Sequence, residues 1–201
     1  MPRYDSGHSP EPSFIDHLPL TTAAVEFAEQ RHAGQRRASD SAPFVLHPLE
    51  VASMLDRSGY PDHVVAAAVL HDVLEDTDSE RSELETLFGK EVSDPVAAVS
   101  DDPRIADEQE RKDELRERVR RAGGYALTVF AADKISKVRE LRALLARGMS
   151  QEEAAPKLEQ YAKALEMLDH AAPGGRLTQL LRFELETIER LPPAPDASPG
   201  P

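Results

Sequence analysis

Residues 64 to 76 read Val64-Val65-Ala66-Ala67-Ala68-Val69-Leu70-His71-Asp72-Val73-Leu74-Glu75-Asp76. The first seven are apolar on every side of a helix, which marks an element enclosed by protein at the centre of a bundle. The residues that follow carry an imidazole and three carboxylates. Burying a lone carboxylate costs several kcal/mol, and negative charge near a helix C-terminus is further disfavoured by the macrodipole. A cation is therefore expected beside them. Helical spacing puts Glu75 one turn beyond His71 and Asp76 one turn beyond Asp72, so the four can face one rim of a cavity.

Outward from this helix, predicted over 62–77, residues 20 to 191 show apolar spacings of three and four throughout, with no strand-length alternation. A first helix is predicted over 21–34, capped by Thr21 or Thr22 and stopped near Gly34, and a second runs from Pro48 to Gly59. Ser82 and Glu85 form a capping-box pattern for a fourth that ends at Phe88 and Gly89. Residues 101–121 hold eight acids and seven bases, which reads as a solvated, internally paired helix, with a mobile lid as the minor alternative. Gly123 and Gly124 break it, a long amphipathic helix follows to Gly148, and 151–170 and 174–191 supply two more. The fold class is all-α, a single bundle of seven or eight helices.

At 201 residues and 40% hydrophobic, one core is expected. Nine of the sixteen prolines lie in 1–20 or 192–201, which reads 1–19 as a disordered tail, 20–191 as the domain and 192–201 as a Pro-rich tail. The net charge of −13 disfavours a nucleic-acid polymer or an anionic membrane as partner. With no cysteine, thiolate metal sites and Cys nucleophiles are excluded, and a metal must sit on His, Asp or Glu. No apolar run reaches a membrane span and the first residues lack a secretion signal, so a cytoplasmic protein is expected. A homo-oligomer is compatible with the sequence, but nothing in it specifies one.

A divalent ion on His71 and Asp72 would neutralise the cluster, and two further residues suit it. His47 precedes Pro48 at a helix start, where its ring can turn inward. Asp133 is the one acid in the apolar stretch Thr128-Val129-Phe130-Ala131-Ala132-Asp133, where burial without a partner would be costly. His32 reads as structural, and His8, His17, His63 and His170 as exposed.

His47-Pro48, His71-Asp72, Glu75-Asp76, Phe88-Gly89 and Ala132-Asp133-Lys134, with the opening Arg31-His32-Ala33-Gly34-Gln35-Arg36-Arg37, resemble the hydrolase domain of the RelA/SpoT homologues. These are a branch of the HD-domain metal-dependent phosphohydrolases, and the likeness spans about residues 20 to 145. The length is that of the small stand-alone members. The resemblance implies an HD-domain helical bundle and one Mn²⁺, with Fe²⁺ or Zn²⁺ as alternatives, held by His47, His71, Asp72 and Asp133. It implies Glu75 and Asp76 as the acid/base pair. It further implies removal of the 3′-pyrophosphate from guanosine 3′,5′-polyphosphates, which ends the stringent response, and a small phosphorylated nucleotide as partner. Arg36, Arg37, Lys134, Lys137 and Arg139 match basic substrate-binding positions. Lys137 and Glu140 stand where the family has Asn and Thr, Ser136 where it has His or Tyr, and Val99-Ser100-Asp101 where it has Val-Thr-Lys. These departures leave two alternatives open: another phosphorylated nucleotide, such as an adenine polyphosphate or an NADPH-like dinucleotide, and a non-catalytic alarmone sensor.

Overall fold

The computed structural model describes residues 17–190. The Pro-rich tail, His8 and most of the N-terminal tail predicted above lie outside the described residues. Within them the chain is all-helical: α1 (Pro19–Arg31), α2 (Leu46–Arg57), α3 (Asp62–Val69), α4 (Val73–Asp76), α5 (Arg81–Phe88), α6 (Lys90–Val99), α7 (Glu108–Ala122), α8 (Gly124–Ala146), α9 (Gln151–Ala171) and α10 (Arg176–Glu189).

The apolar helix is central, as its composition requires. Every residue from Val64 to Leu70 is fully buried, and α3 packs against α1, α2, α6 and α8. It does not run on to residue 77. The backbone leaves α geometry at Leu70 and Asp72, with ψ near zero at both, and tightens through Val73 N–H to Leu70 carbonyl at 3.0 Å. Neighbours on a regular helix diverge by about 100°. The break lets both His71 and Asp72 turn into the protein, where each is under 7% exposed. This split and α6, a stretch given no element from sequence, account for ten helices where seven or eight were expected.

Two caps differ from expectation. Helix α1 begins at Pro19, and its free N–H groups are met from another helix: Asp62 accepts from the N–H of Leu20 and of Thr21 at 2.9 Å and from the Thr21 hydroxyl at 2.6 Å. Thr21 lies inside the helix and is buried. The Ser82 capping box does not form, because α5 starts two residues earlier with Glu80 at its cap. The capping box present is Ser150 with Glu153 at the start of α9, which satisfies two orphan donors at once.

Helix α7 keeps the internal charge pairs expected of it, including Arg116 with Asp113 and Arg120 with Glu117. It is not solvated all round, since Leu115 and Val119 are buried against α6, α8 and α9. Residues 100–107 form a loop ahead of it, ended by Asp107, which accepts from the N–H of Glu110 at 2.8 Å. Helix α8 is the second axis of the bundle, in contact with α2, α3, α6, α7, α9 and α10. No helix among the described residues is long and apolar enough to cross a membrane.

Candidate functional site

His47 in the first turn of α2, His71 and Asp72 at the break between α3 and α4, and Asp133 in the middle of α8 converge in the buried centre. The Nε2 of His47 lies 3.1 Å from Asp133 Oδ1 and 3.5 Å from Asp72 Oδ2. The Nε2 of His71 lies 3.4 and 3.2 Å from the same two oxygens. Each ring is turned by a contact at its far nitrogen. His71 Nδ1 sits 2.8 Å from the Ala68 carbonyl, which fixes Nδ1–H as a donor and aims Nε2 at the carboxylates. His47 Nδ1 sits 3.2 Å from the Ser136 hydroxyl.

This set fits a metal ion. The ligand atoms of His47, His71 and Asp133 lie within 4.8 Å of one another, and Asp72 shares contacts with both rings. His71 Nε2 is buried with no hydrogen-bond partner among the described residues, an orphaned ring nitrogen of the kind a cation completes once it has lost its proton. Two imidazoles and two carboxylates are a mixed N/O set suited to a divalent first-row ion.

Without such an ion the cluster balances its charge with protons and lysines. Burial alone would depress the His71 imidazole, but the charge of Asp72 and the neighbouring Asp133 carboxylate outweigh it and push its pKa up to about 10. Burial would raise Asp133, yet the ammonium groups of Lys134 and Lys137 hold it well below the usual carboxylate range. They stand 2.7 and 3.0 Å from its two oxygens. Asp72 is lowered in the same way, against its burial, by His71 and then Lys137.

Glu75 and Asp76 stand on the rim, where His47, Asp72, Arg36, Arg37, Phe44 and Lys137 help line a cleft of about 490 Å³. Glu75 Oε2 accepts from the Asp101 N–H at 3.1 Å. Enclosure in the cleft, followed by the charges of Asp72 and Glu75, raises the Asp76 carboxyl above its usual range. Arg37 forks onto Asp40, its Nη2 at 2.8 Å, and Arg36 donates to the Ser41 carbonyl at 3.1 Å.

The other residues predicted to touch substrate separate. Lys137 borders the cleft, whereas Lys134 lines a neighbouring cavity. Arg139 is not brought to the cleft. Its Nε donates to Glu184 Oε1 at 2.6 Å, while Arg142 donates to Glu184 Oε2 at 2.6 Å, so the family position is here a clamp between α8 and α10. Glu140 does line the cleft, with Lys157 and Tyr161 of α9. Neither α9 residue was singled out from sequence, since each sits in an ordinary amphipathic pattern. His32 is buried and structural as expected, with Nδ1 2.8 Å from Gln35 Oε1 and its ring against Phe44. His170 is exposed, and His17 is exposed near Asp56. His63 is instead partly covered, edge-on to Tyr125.

The HD-domain family model matches residues 24–164, a span that contains the four converging residues and both rim carboxylates. The chain belongs to the HD-domain family. It is 35% identical over 136 residues to the Xenopus tropicalis guanosine-3′,5′-bis(diphosphate) 3′-pyrophosphohydrolase MESH1, covering 66% of this chain and 75% of that protein. The human protein of the same name is 34% identical over 148 residues, with 72% and 82% covered. A solved structure described as a metazoan ortholog of SpoT that hydrolyses ppGpp superposes with a TM-score of 0.75 at 27% identity, covering 90% of this chain and 98% of that one. In this HD domain the paired His71 and Asp72 occupy the helix break, which is where the sequence alone placed the need for a cation.

Proposed function

We propose that this HD domain is a pyrophosphohydrolase of guanosine 3′,5′-polyphosphates, working in the cytoplasm with Mn²⁺ held by His47, His71, Asp72 and Asp133. The observation that carries the reading is the convergence of both imidazoles on the same two carboxylate oxygens, with Glu75 and Asp76 on the adjoining rim. When bound, the ion supplies a Lewis acid for a phosphoryl oxygen and makes a water more acidic. In the hydrolysis, oxygen from water bonds to the phosphorus attached at the ribose 3′-oxygen, the bond from that phosphorus to the 3′-oxygen breaks, and pyrophosphate leaves. Glu75, fixed by the Asp101 N–H, takes the proton of the water. Asp76, whose raised carboxyl can carry a proton, gives one to the 3′-oxygen. Arg36 and Phe44 flank the nucleoside end of the cleft, where a guanidinium and a ring suit a base.

Purified protein with Mn²⁺ is expected to release pyrophosphate from guanosine tetraphosphate, and Asp72→Ala or Glu75→Ala to abolish the release. Robust turnover by either variant would refute the assignment of roles. Another phosphorylated nucleotide is the second reading, favoured by Lys137 bound to Asp133 and by Arg139 committed to Glu184, which change two of the expected nucleotide contacts. A panel of 3′- and 2′-phosphorylated nucleotides separates the two readings, and a clear preference for guanosine tetraphosphate removes the second. Tight binding without turnover under several metals would instead identify a sensor.

A further inference from the structure

Beside the catalytic cleft lies a second cavity, of about 500 Å³, between α7, α8 and α9. The two share Lys137, Lys157 and Tyr161 as a common wall. The second cavity has five cationic side chains on its walls, Lys112, Arg116, Lys134, Lys137 and Lys157, against two acids, Glu108 and Glu159. In a chain of net charge −13 the lining itself is richer in cations than in acids, with the aspartates that pair with four of them set behind the wall, and a concave surface that presents cations concentrates anions.

Four of the five cations are held in place. Lys112 pairs with Asp101, and Arg116 pairs with Asp113 and donates to Gln160 Oε1 at 2.8 Å. Lys134 and Lys137 reach opposite oxygens of Asp133 at 2.7 and 3.0 Å, so the cavity begins where the proposed metal cluster ends. Two rings line the cavity, Phe130 and Tyr161, and Tyr161 lies on the wall shared with the catalytic cleft. The Phe130 face is covered by the Lys134 ammonium at 4.6 Å. Beside apolar Leu115, Pro156 and Ala164, the wall offers several N–H donors of fixed direction, which suit a compact, highly charged oxyanion.

We propose that this cavity is a binding site for inorganic pyrophosphate. Its relation to the reaction rests on the function proposed above: the nucleoside half of the substrate lies in the Arg36 cleft, and the released pyrophosphate passes across Lys137 into the second cavity. Binding itself needs neither metal nor turnover.

The test is calorimetric titration of the metal-free, full-length protein with inorganic pyrophosphate and, separately, with inorganic phosphate. One saturable pyrophosphate per chain is expected, with phosphate at least tenfold weaker. Lys112→Gln should weaken pyrophosphate binding by roughly tenfold, the loss of about one charge-assisted hydrogen bond. Glu108→Gln and Glu159→Gln, at exposed positions where folding is not at risk, should each tighten it severalfold. Lys90→Gln on α6 makes the same change in net charge away from this cavity and should stay within twofold of the parent. Absence of saturable binding, equal binding of phosphate, no response to the two glutamate variants, or an equal effect of Lys90→Gln and Lys112→Gln would overturn the proposal. Pyrophosphate binding without cleavage of guanosine tetraphosphate would leave the cavity standing and remove the proposed function. Cleavage without pyrophosphate binding would do the reverse.

Discussion

Replacing Glu184 by alanine is expected to destabilise the protein by about 2–3 kcal/mol. The carboxylate is buried, at 4% exposure, and accepts two guanidinium bonds at 2.6 Å from α8. Removing one partner of a fully buried ion pair costs ~3–5 kcal/mol, chiefly because the other charge is stranded. Here the stranded partners are the Arg139 and Arg142 side chains, 34% and 35% exposed, which can recover water and so lower the cost. For a chain of this size each kcal/mol moves Tm by about 2–4 °C, so a fall of roughly 4–12 °C is expected. Glu184→Gln, which keeps the volume and one acceptor, should lose about half as much. The assay is thermal and urea unfolding of both variants, with steady-state kinetics of Arg139→Ala beside them. A Tm within about 1 °C of the parent for Glu184→Ala would refute the clamp. A tenfold rise in KM for Arg139→Ala would show that this arginine leaves Glu184 to hold substrate.

Ser136→Ala removes the group that orients His47 and is expected to weaken Mn²⁺ binding by ~10-fold or more, read by competition with a chromophoric chelator; unchanged affinity would leave Ser136 without that role. Metal loading at pH 8 should release at least one proton, because His71 in the metal-free protein titrates near 10 and must give up its Nε2 proton to act as a ligand; calorimetry in buffers of different ionisation enthalpy measures it, and zero release contradicts the assignment. The same raised pKa makes the native metal-free state bind a proton that the unfolded chain loses near 6.5, so stability should be fullest below pH 6.5 and fall as pH rises toward 10. Thermal scans across that window with and without Mn²⁺ check it, the loss being confined to the metal-free protein. Asp62→Ala strips the cap from α1 and should cost about 1–2 kcal/mol in urea unfolding; a change under ~0.3 kcal/mol would mean that water replaces the cap at no cost.

The sequence alone determined what rests on local pattern and on the cost of burying charge. An all-round apolar run from Val64 to Leu70 must be enclosed, and His71, Asp72, Glu75 and Asp76 at its end must be balanced. Asp133 in an apolar stretch must have a partner. These inferences required no partner's position, and the structure brings the buried residues to one point. Contacts between distant residues were decided only by tertiary structure. Ser136 meets His47 across 89 residues, Asp62 meets Thr21 across 41, and Glu184 captures Arg139 across 45. An arginine in a matching motif carries no mark of which carboxylate will reach it, and a lysine on an amphipathic helix none of which cavity it will line. The helix break after Val69 was likewise set by packing. Periodicity extends α3 through His71, whereas the backbone turns at residues 70–72 and brings His71 and Asp72 to the same cluster.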